Sequence, residues 1–397
     1  MTKRVIWIVL DSAGVGEAPD AARFGDAGAD TFGHILREYP DAKFHNLTKL
    51  GLKAIEQTSF YEEASKNDII GCYGKAQECS DGKDTTTGHW EMIGIHTKHA
   101  FPTYPDGFPK EMIDAFISRT GCGGIYGNKV ASGIPIIAEY GEAHMQTGYP
   151  IVYTSADSVF QIAASEEKVG LDRLYEMCEI ARKLLVGEHA VGRVIARPFV
   201  RKGDGFERTS NRRDYALDPP NDNVLMHLKQ AAVPVYAVGK ISDIFNNSGI
   251  SESVHTESNA DGMAKTLQYI ETKQEGLIYT NLVDFDMKFG HRRDTLGYKN
   301  ALEEFDAWLG TLFDRLSDED MVVVCADHGC DPMFTGSDHT REYIPVLFYG
   351  KMLKQGMDLG TRKTFADIGK TVEQYLLEKN MELTETIGTS FLHEIME

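Results

Sequence analysis

Carboxylates and histidines follow the ends of predicted β-strands in this 397-residue chain, and both residue types bind metal ions. The acids that follow apolar runs are Asp11, Asp286 and Asp327, and the histidines close behind them are His291, His328 and His339. Oxygen and imidazole donors without thiolates favour manganese, zinc or magnesium-like ions. Six ligands are too many for one catalytic ion with open positions. They suit two ions, which together activate a nucleophile and stabilise both oxygens in phosphoryl transfer.

Each of these side chains has an ordinary role when it occurs alone. A lone Asp after a strand is usually a helix N-cap or a turn residue, and a lone His is more often hydrogen-bonded in the core or exposed at the surface. Recurrence at three strand ends changes that balance, because the carboxyl ends of parallel strands meet at one edge of the sheet, where ligands bind. The sequence therefore predicts a two-metal site.

A second cluster, Asp81–Glu91, contains the consecutive threonines Thr85, Thr86 and Thr87. Its simplest interpretation is a helix start, because Asp and Thr are strong N-capping residues. The functional interpretation is a threonine hydroxyl at a helix N-terminus, where backbone N–H groups favour an attached phosphate. A neighbouring metal would lower the pKa of that hydroxyl and make it a nucleophile. Spacing alone leaves open which of the three threonines it is.

The charge of the chain is acidic overall and basic in one place. There are 41 Lys and Arg against 60 Asp and Glu, which gives a formal net charge of −19. Such a surface repels nucleic acids and anionic membranes, so we expect neither as a partner. Residues 193–213 instead hold seven basic and two acidic residues. Because Arg binds phosphate in a bidentate fork, this segment is either a solvated loop or the site for a substrate phosphate.

Alternating strand and helix patterns must position these residues. Apolar runs rich in β-branched residues suit strands buried on both faces of a mainly parallel sheet, and they lie at Val5–Leu10, Val233–Val238, Leu277–Val283 and Met321–Ala326. Apolar residues spaced by three and four predict a helix between the last two runs, at Leu302, Phe305, Leu309, Leu312 and Leu316. The alternation predicts an α/β fold.

The middle of the chain differs in composition. It opens with the proline- and glycine-rich segment Phe101–Pro109 and closes with a polar, Arg-rich segment before Pro219 and Pro220. We interpret residues 101–220 as an inserted domain and residues 1–100 and 221–397 as two segments of one core domain. Six cysteines without a CxxC pair fit reduced thiols, and no apolar stretch approaches the roughly 18 residues of a membrane span. We expect a soluble, cytoplasmic monomer.

Several motifs, in one order, carry a resemblance that covers essentially the whole chain. They are Val9–Asp20, Gly82–Glu91, Tyr153–Ser158, Gly192–Phe199, Asn281–Asp286, Gly290–Asp294, Cys325–Gly329 and Asp338–Tyr343. In these motifs the chain closely resembles the phosphopentomutase family of the alkaline phosphatase superfamily. The resemblance implies an alkaline-phosphatase-like core, with a mainly parallel sheet between helices, and a smaller inserted α+β domain that caps the metal site.

The resemblance also implies a reaction, the interconversion of α-D-ribose 1-phosphate and D-ribose 5-phosphate and of the 2-deoxyribose pair. Thr85 would be the phosphorylated nucleophile, a pentose 1,5-bisphosphate the intermediate, and a sugar bisphosphate such as glucose 1,6-bisphosphate the activator. Two Mn²⁺ ions are implied, one held by Asp286, His291 and His339 and the other by Asp11, Asp327 and His328. The implied sugar-phosphate contacts are Asp157, Arg193, Arg208 and Lys240. Gly329-Cys330-Asp331 departs from the Gly-Asn-Asp expected of the family.

Three other functions are weighed against this one. A metal-dependent phosphatase or phosphodiesterase of the same superfamily would share the core and the six ligands, but it would not need the cap with its basic segment. Cofactor-independent phosphoglycerate mutase is also related, but it uses a serine nucleophile in a longer chain. A metal-stabilised binding protein would lose stability without its ion, and Thr85→Ala would change nothing measurable.

Overall fold

The structure is a computed structural model that describes residues 3–155, 158–378 and 386–397. Within these ranges the strands are β1 (Arg4–Leu10), β2 (Cys72–Ala76), β3 (Tyr126–Val130), β4 (Ile151–Thr154), β5 (Val159–Ser165), β6 (Arg193–Lys202), β7 (Gly205–Arg208), β8 (Arg213–Ala216), β9 (Val235–Val238), β10 (Glu252–Val254), β11 (Gly276–Leu282), β12 (Asp320–Cys325), β13 (Ile344–Tyr349) and β14 (Met357–Arg362). The α-helices are α1 (Thr31–Glu38), α2 (His45–Leu50), α3 (Thr85–Met92), α4 (Lys110–Thr120), α5 (Gly133–Thr147), α6 (Leu171–Leu184), α7 (Val224–Gln230), α8 (Ile241–Ile244), α9 (Asn259–Thr272), α10 (Thr295–Phe313), α11 (Ala366–Leu377) and α12 (Leu392–Ile395). A π-helical turn, Phe285–Gly290, follows β11.

The chain divides into two compact units. Unit 1 combines residues 1–100 and 219–397, and unit 2 is Phe101–Asp218. The interpretation of the middle segment as a cap domain stays a prediction. Each α-helix in the described ranges is too short or too polar to cross a lipid bilayer.

Unit 1 is built on a sheet that has, over the described residues, eight strands in the order β10-β9-β11-β1-β12-β13-β2-β14. Only β13 runs antiparallel to its neighbours, so the predicted mainly parallel sheet is confirmed. All seven residues of β1 are buried, which is typical of a central strand covered on both faces. Arg4 is buried there because it donates two hydrogen bonds to the carboxylate of Asp320, at 2.9 and 2.6 Å.

The predicted long helix is α10. Asp294 caps its start by accepting a hydrogen bond from the Gly297 N–H. The apolar face of α10 is buried, and the buried acid Asp306 fixes the position of a neighbouring helix. The Asp306 carboxylate accepts hydrogen bonds from the backbone N–H groups of Asn46 and Leu47, at 3.1 and 2.7 Å, and so ties the first turn of α2 to α10.

Unit 2 has a mixed sheet in the order β3-β4-β5-β6-β7, with β8 also paired to β6. Residues of α4 and α6 pack with β5 and β6 in one apolar core. Residues of α5 pack with β4 and β7 in a second core. Two cores separated by one sheet make unit 2 an α+β structure with helices on both faces.

Candidate active site

Three neighbouring strands deliver the acids predicted to bind metal. In the sheet, β1 lies between β11 and β12 and is parallel to both. Asp11 follows β1, Asp327 follows β12, and Asp286 lies in the π-helical turn after β11. All three carboxylates are buried, and Asp11 and Asp327 are 0% exposed. Parallel strand ends thus bring together residues that are hundreds of positions apart in the sequence.

The first group of ligand residues is Asp11, Asp327 and His328. His328 Nε2 lies 3.4 Å from Asp11 Oδ1 and 3.3 Å from Asp327 Oδ2. The other carboxylate oxygens are held by hydrogen bonds from the Asn281 side chain to Asp11 Oδ2 and from the Ser12 N–H to Asp327 Oδ1, both 3.0 Å long. One oxygen of each acid is therefore oriented by the protein, and the other points at His328.

The second group is Asp286, His291 and His339. His291 Nε2 lies 3.3 Å from Asp286 Oδ2, and His339 Nε2 lies 3.4 Å from Asp286 Oδ1. The two Nε2 atoms are 3.1 Å apart. His291 donates from Nδ1 to the carbonyl oxygen of Ser337, which leaves Nε2 facing the group. The ring centroid of His328 is 4.0 Å from that of His339, so the two groups adjoin.

The chemistry of this donor set fits divalent cations. Asp11 Oδ1, Asp286 Oδ1 and Asp327 Oδ2 are buried and have no hydrogen-bond partner among the described residues. Buried carboxylate oxygens without partners are strongly unfavourable unless a positive charge compensates them. These oxygens belong to three overlapping groups of donor atoms that could hold ions, namely Asp11, Asp327 and His328; Asp286, His328 and His339; and Asp286, His291 and Cys330. The residues therefore fit a pair of manganese, zinc or magnesium-like ions.

The directions of the pKa shifts in the cluster also indicate that its buried carboxylates are stabilised by nearby positive charge. Burial and the neighbouring Asp327 charge raise the pKa of Asp11 above its ordinary value. Burial acts in the same direction on Asp286, but the close imidazoles of His291 and His339 outweigh burial and hold its pKa well below the ordinary value. The hydrogen bond to Asp286 raises the pKa of His291 to about 11. A proton on the His291 imidazole thus compensates the Asp286 carboxylate.

The predicted nucleophile cluster forms the start of α3. Asp84 is the N-cap, and its Oδ1 accepts hydrogen bonds from the N–H groups of Thr86 and Thr87. The Thr87 hydroxyl bonds to the same carboxylate at 2.6 Å. Thr85 Oγ1 instead lies 3.1 Å from His328 Nε2, beside the metal-ligand groups. The hydroxyl geometry thus singles out Thr85. Two N–H groups expected to favour a phosphate are bonded to Asp84.

Two further side chains contact the cluster, although the sequence interpretation assigned them no role. His89 is 0% exposed, and its Nδ1 lies 3.1 Å from Asp327 Oδ2. Asn281 is the residue that holds Asp11. Both belong to motifs used for the family resemblance, and His89 stands one helical turn after Thr85. The spacing of one helical turn between Thr85 and His89 was the available sequence signal, but spacing does not show which residues pack against that face of the helix.

Cys330, where the sequence departs from the family pattern, lies beside the second ligand group. Its Sγ is 3.9 Å from Nδ1 of His291 and is buried. Burial is the main reason that the pKa of this thiol is raised. Together with Asp286 and His291 the thiol forms a further group of donor atoms that could hold an ion, and a bound cation would displace the thiol proton. The six ligands implied by the family resemblance stay a prediction.

Unit 2 contains a basic pocket of about 480 Å³, lined by the arginines Arg193, Arg197, Arg208 and Arg212. Arg193 begins β6 and has a carboxylate of Asp214 at 3.5 Å. The Arg197 side chain donates to the Gln161 side-chain oxygen at 3.0 Å. The buried hydroxyl of Tyr153, a residue without an assigned role, has no hydrogen-bond partner among the described residues. The pocket can therefore bind an anion within unit 2.

The remaining predicted substrate contacts lie elsewhere. Lys240 follows β9, which is parallel to β11, so it belongs to the same edge of the unit 1 sheet as the acids. Asp157 lies outside the described residues. Its role in substrate binding stays a prediction, as do the roles of Lys240, Arg193 and Arg208.

A mainly parallel sheet with convergent metal-ligand groups at its carboxyl edge defines a metal-dependent enzyme. In agreement, residues 3–380 match the family model described as Metalloenzyme superfamily. The chain is 53% identical over 396 residues to a phosphopentomutase of Clostridium novyi, covering 100% of both chains. It is 54% identical over 390 residues to a phosphopentomutase of Clostridioides difficile, covering 98% of both. The chain belongs to the phosphopentomutase family.

Membership of this family confirms the predicted enzyme class, an isomerase of the intramolecular phosphotransferase type. Among solved structures, the PH0037 protein of Pyrococcus horikoshii is similar, with a TM-score of 0.49 and 13% sequence identity. That alignment covers 96% of this chain and 99% of the other. The predicted α/β fold with a mainly parallel sheet is confirmed by the strand order of unit 1 and by the family model that matches residues 3–380.

Proposed function

We propose that the protein interconverts α-D-ribose 1-phosphate and D-ribose 5-phosphate, and the corresponding 2-deoxyribose phosphates. The observation that carries this proposal is the position of the Thr85 hydroxyl, 3.1 Å from His328 Nε2 beside the two ligand groups. Membership of the phosphopentomutase family supports the choice of substrates.

The proposal assigns two Mn²⁺ ions to the six ligand residues. Asp11, Asp327 and His328 would hold one ion, and Asp286, His291 and His339 would hold the other. When bound, the ions supply charge neutralisation for the phosphoryl group and lower the pKa of the nucleophilic hydroxyl. The buried oxygens without hydrogen-bond partners support this assignment.

Thr85 carries the phosphoryl group between two half-reactions. Phosphorylated Thr85 donates its phosphoryl group to the free hydroxyl of the sugar monophosphate, so the P–O bond to Thr85 breaks and a P–O bond to the sugar forms. The proton that the sugar hydroxyl loses is gained by the leaving Thr85 oxygen. The product is a pentose 1,5-bisphosphate, which reorients. The opposite phosphate is then transferred to Thr85, whose hydroxyl loses its proton while the leaving sugar oxygen gains one. A sugar bisphosphate such as glucose 1,6-bisphosphate loads Thr85 initially.

Other residues of the chain would bind and orient the substrate. Asp84 holds the first turn of α3, which sets the direction of the Thr85 side chain. We assign phosphate binding to Arg193 and Arg208 in unit 2 and to Lys240 in unit 1, with Asp157 as a sugar contact. The basic pocket of unit 2 supports the two arginine assignments, because guanidinium groups bind phosphate oxygens in pairs.

The test is to incubate the protein with ribose 1-phosphate, Mn²⁺ and a catalytic amount of glucose 1,6-bisphosphate. Both ribose 5-phosphate and inorganic phosphate are measured. We expect ribose 5-phosphate with little phosphate release. Phosphate release without isomerisation would instead indicate a phosphatase or phosphodiesterase.

The nucleophile is tested with neighbouring threonines. Thr85→Ala should abolish turnover, while Thr86→Ala, one residue further along α3, is the matched control and should remain active. Intact-mass analysis should find one phosphate on the wild type and on Thr86→Ala but none on Thr85→Ala. A phosphate that persists in Thr85→Ala would show that another residue is the acceptor.

A further inference from the structure

His89 is a buried imidazole placed between the proposed nucleophile and a proposed metal ligand. It lies in α3, one turn after Thr85, and helix side chains lean toward the N-terminus. Its Nδ1 lies 2.9 Å from the carbonyl oxygen of Thr85 and 3.1 Å from Asp327 Oδ2. Both neighbours of Nδ1 are acceptors without a hydrogen, so Nδ1 must be the donor.

The other ring nitrogen supports the same tautomer. His89 Nε2 is buried and has no hydrogen-bond partner among the described residues. The rings of Phe245 and Tyr279 lie about it, with centroids 6.2 and 6.1 Å from the imidazole centroid. An N–H without an acceptor would be unfavourable in this apolar surrounding, whereas an unprotonated nitrogen is better tolerated. The hydrogen therefore belongs on Nδ1.

The packing of α3 makes this contact close. A Cβ atom added to Gly88 would lie 2.8 Å from the carbonyl carbon of Asp327 and closer still to its oxygen, so α3 rests directly on the end of β12. The Ser12 N–H holds Asp327 Oδ1 from the opposite side. His89 Nδ1 approaches Oδ2 of the same carboxylate to 3.1 Å, an electrostatic contact rather than a formed hydrogen bond.

We propose that His89 is a positioning residue: its Nδ1–H bonds to the Thr85 carbonyl oxygen and presents its positive end 3.1 Å from Asp327 Oδ2, so that nucleophile and metal ligand keep a constant separation. This inference rests on the proposed function. Without this N–H, the Asp327 carboxylate can rotate about its side-chain bonds. Removal of a partner that orients a metal-ligating side chain lowers metal affinity or activity by about 10–100-fold.

The test compares three replacements of His89. Asn carries its amide nitrogen near the position of Nδ1, Gln carries it near the position of Nε2, and Met fills the volume without a donor. Manganese affinity is measured by titration calorimetry on metal-stripped protein, and kcat, KM and the thermal unfolding midpoint are measured alongside. We expect His89→Gln and His89→Met to lose about 10–100-fold in Mn²⁺ affinity and in kcat, with KM nearly unchanged.

His89→Asn should retain Mn²⁺ affinity and kcat close to those of the wild type even where its thermal midpoint falls. Equal losses in His89→Asn and His89→Gln that track the thermal midpoint would overturn the proposal, because they would mean that the ring only fills space. Wild-type Mn²⁺ affinity in His89→Met would also overturn it, and this result does not depend on His89→Asn folding. If the wild type does not isomerise ribose 1-phosphate, the proposed function fails, while the Mn²⁺ affinities still decide the role of His89.

Discussion

Replacing Gly88 by alanine perturbs the contact that brings α3 onto the end of β12. The added methyl would lie 2.8 Å from the carbonyl carbon of Asp327, which is backbone and cannot rotate away. Ordinary carbon–carbon contact is about 3.5–4.0 Å, so α3 must retreat by about 1 Å. Thr85 lies in the same turn of α3 as Gly88, so this shift would lengthen the 3.1 Å contact between Thr85 Oγ1 and His328 Nε2.

The consequences for stability and rate follow from that displacement. Overpacking of this kind lowers the free energy of unfolding by about 1–3 kcal/mol. A displacement of about 1 Å in a reacting group costs on the order of 100-fold in rate. We therefore expect Gly88→Ala to lose about 100-fold in kcat with a smaller change in KM, because the displaced group acts in the chemical step.

The assay combines steady-state kinetics with denaturant unfolding. Gly310→Ala is a matched control in the helix α10, because its new methyl would lie 3.1 Å from Nδ2 of Asn46, the end of a side chain that can move. The free energy of unfolding of that control should stay within about 1 kcal/mol of the wild type. If Gly88→Ala keeps full kcat and an unchanged unfolding midpoint, the packing of α3 on β12 is not what places Thr85.

Replacing Asp327 by Asn, or chelating divalent ions, should abolish isomerisation. Chelation should also lower the thermal unfolding midpoint, because the wild-type carboxylates lose their counter-charge. Added Mn²⁺ should restore the activity of the chelated wild type but not that of Asp327→Asn. An unchanged midpoint after chelation would contradict this reasoning. Arg208→Ala should raise KM for ribose 1-phosphate about tenfold or more, while Arg201→Ala, whose guanidinium is already ion-paired at the surface, should not; equal KM values for the two variants would refute the assignment. Burial lowers the pKa of His227, but its hydrogen bond to Glu373 outweighs this effect and raises the pKa above 6.5. The stabilisation, about 1.5–3 kcal/mol, is present below pH 6.5 and is lost as the pH rises through the folded-state pKa. The difference in unfolding free energy between the wild type and His227→Gln should therefore narrow above that pKa. A difference that widens with pH would contradict the inference that protonated His227 pairs with Glu373.

The strands and the position of the acids at strand ends were predictable because their signals are local, whereas the metal-ligand roles of these acids stay a prediction. An apolar run such as Val5–Leu10 predicts a buried strand wherever it stands, and an acid that follows it must lie at the carboxyl edge of a parallel sheet. The observed β1, Arg4–Leu10, differs from that prediction by one residue. The grouping of the acids also needed the order β11-β1-β12, which strand patterns alone do not specify.

The contacts around the nucleophile were not predictable from the sequence. Thr85, Thr86 and Thr87 are equivalent in residue type, and only the fold shows that Thr87 bonds to Asp84 while Thr85 faces His328. The N–H groups expected to favour a phosphate are bonded to the Asp84 carboxylate, because a capping side chain in the same turn reaches them first.

By itself, the sequence determined the class of the fold, the acid and imidazole donors and the family, since residue type and periodicity are properties of the chain. The tertiary structure alone decided which donors meet. Asp11 and Asp327 are separated by more than 300 residues and yet share His328 as a neighbour. His89 gains its place only because α3 packs against the end of β12. Distances of this kind depend on how elements pack, and packing is a property of the folded chain rather than of any segment.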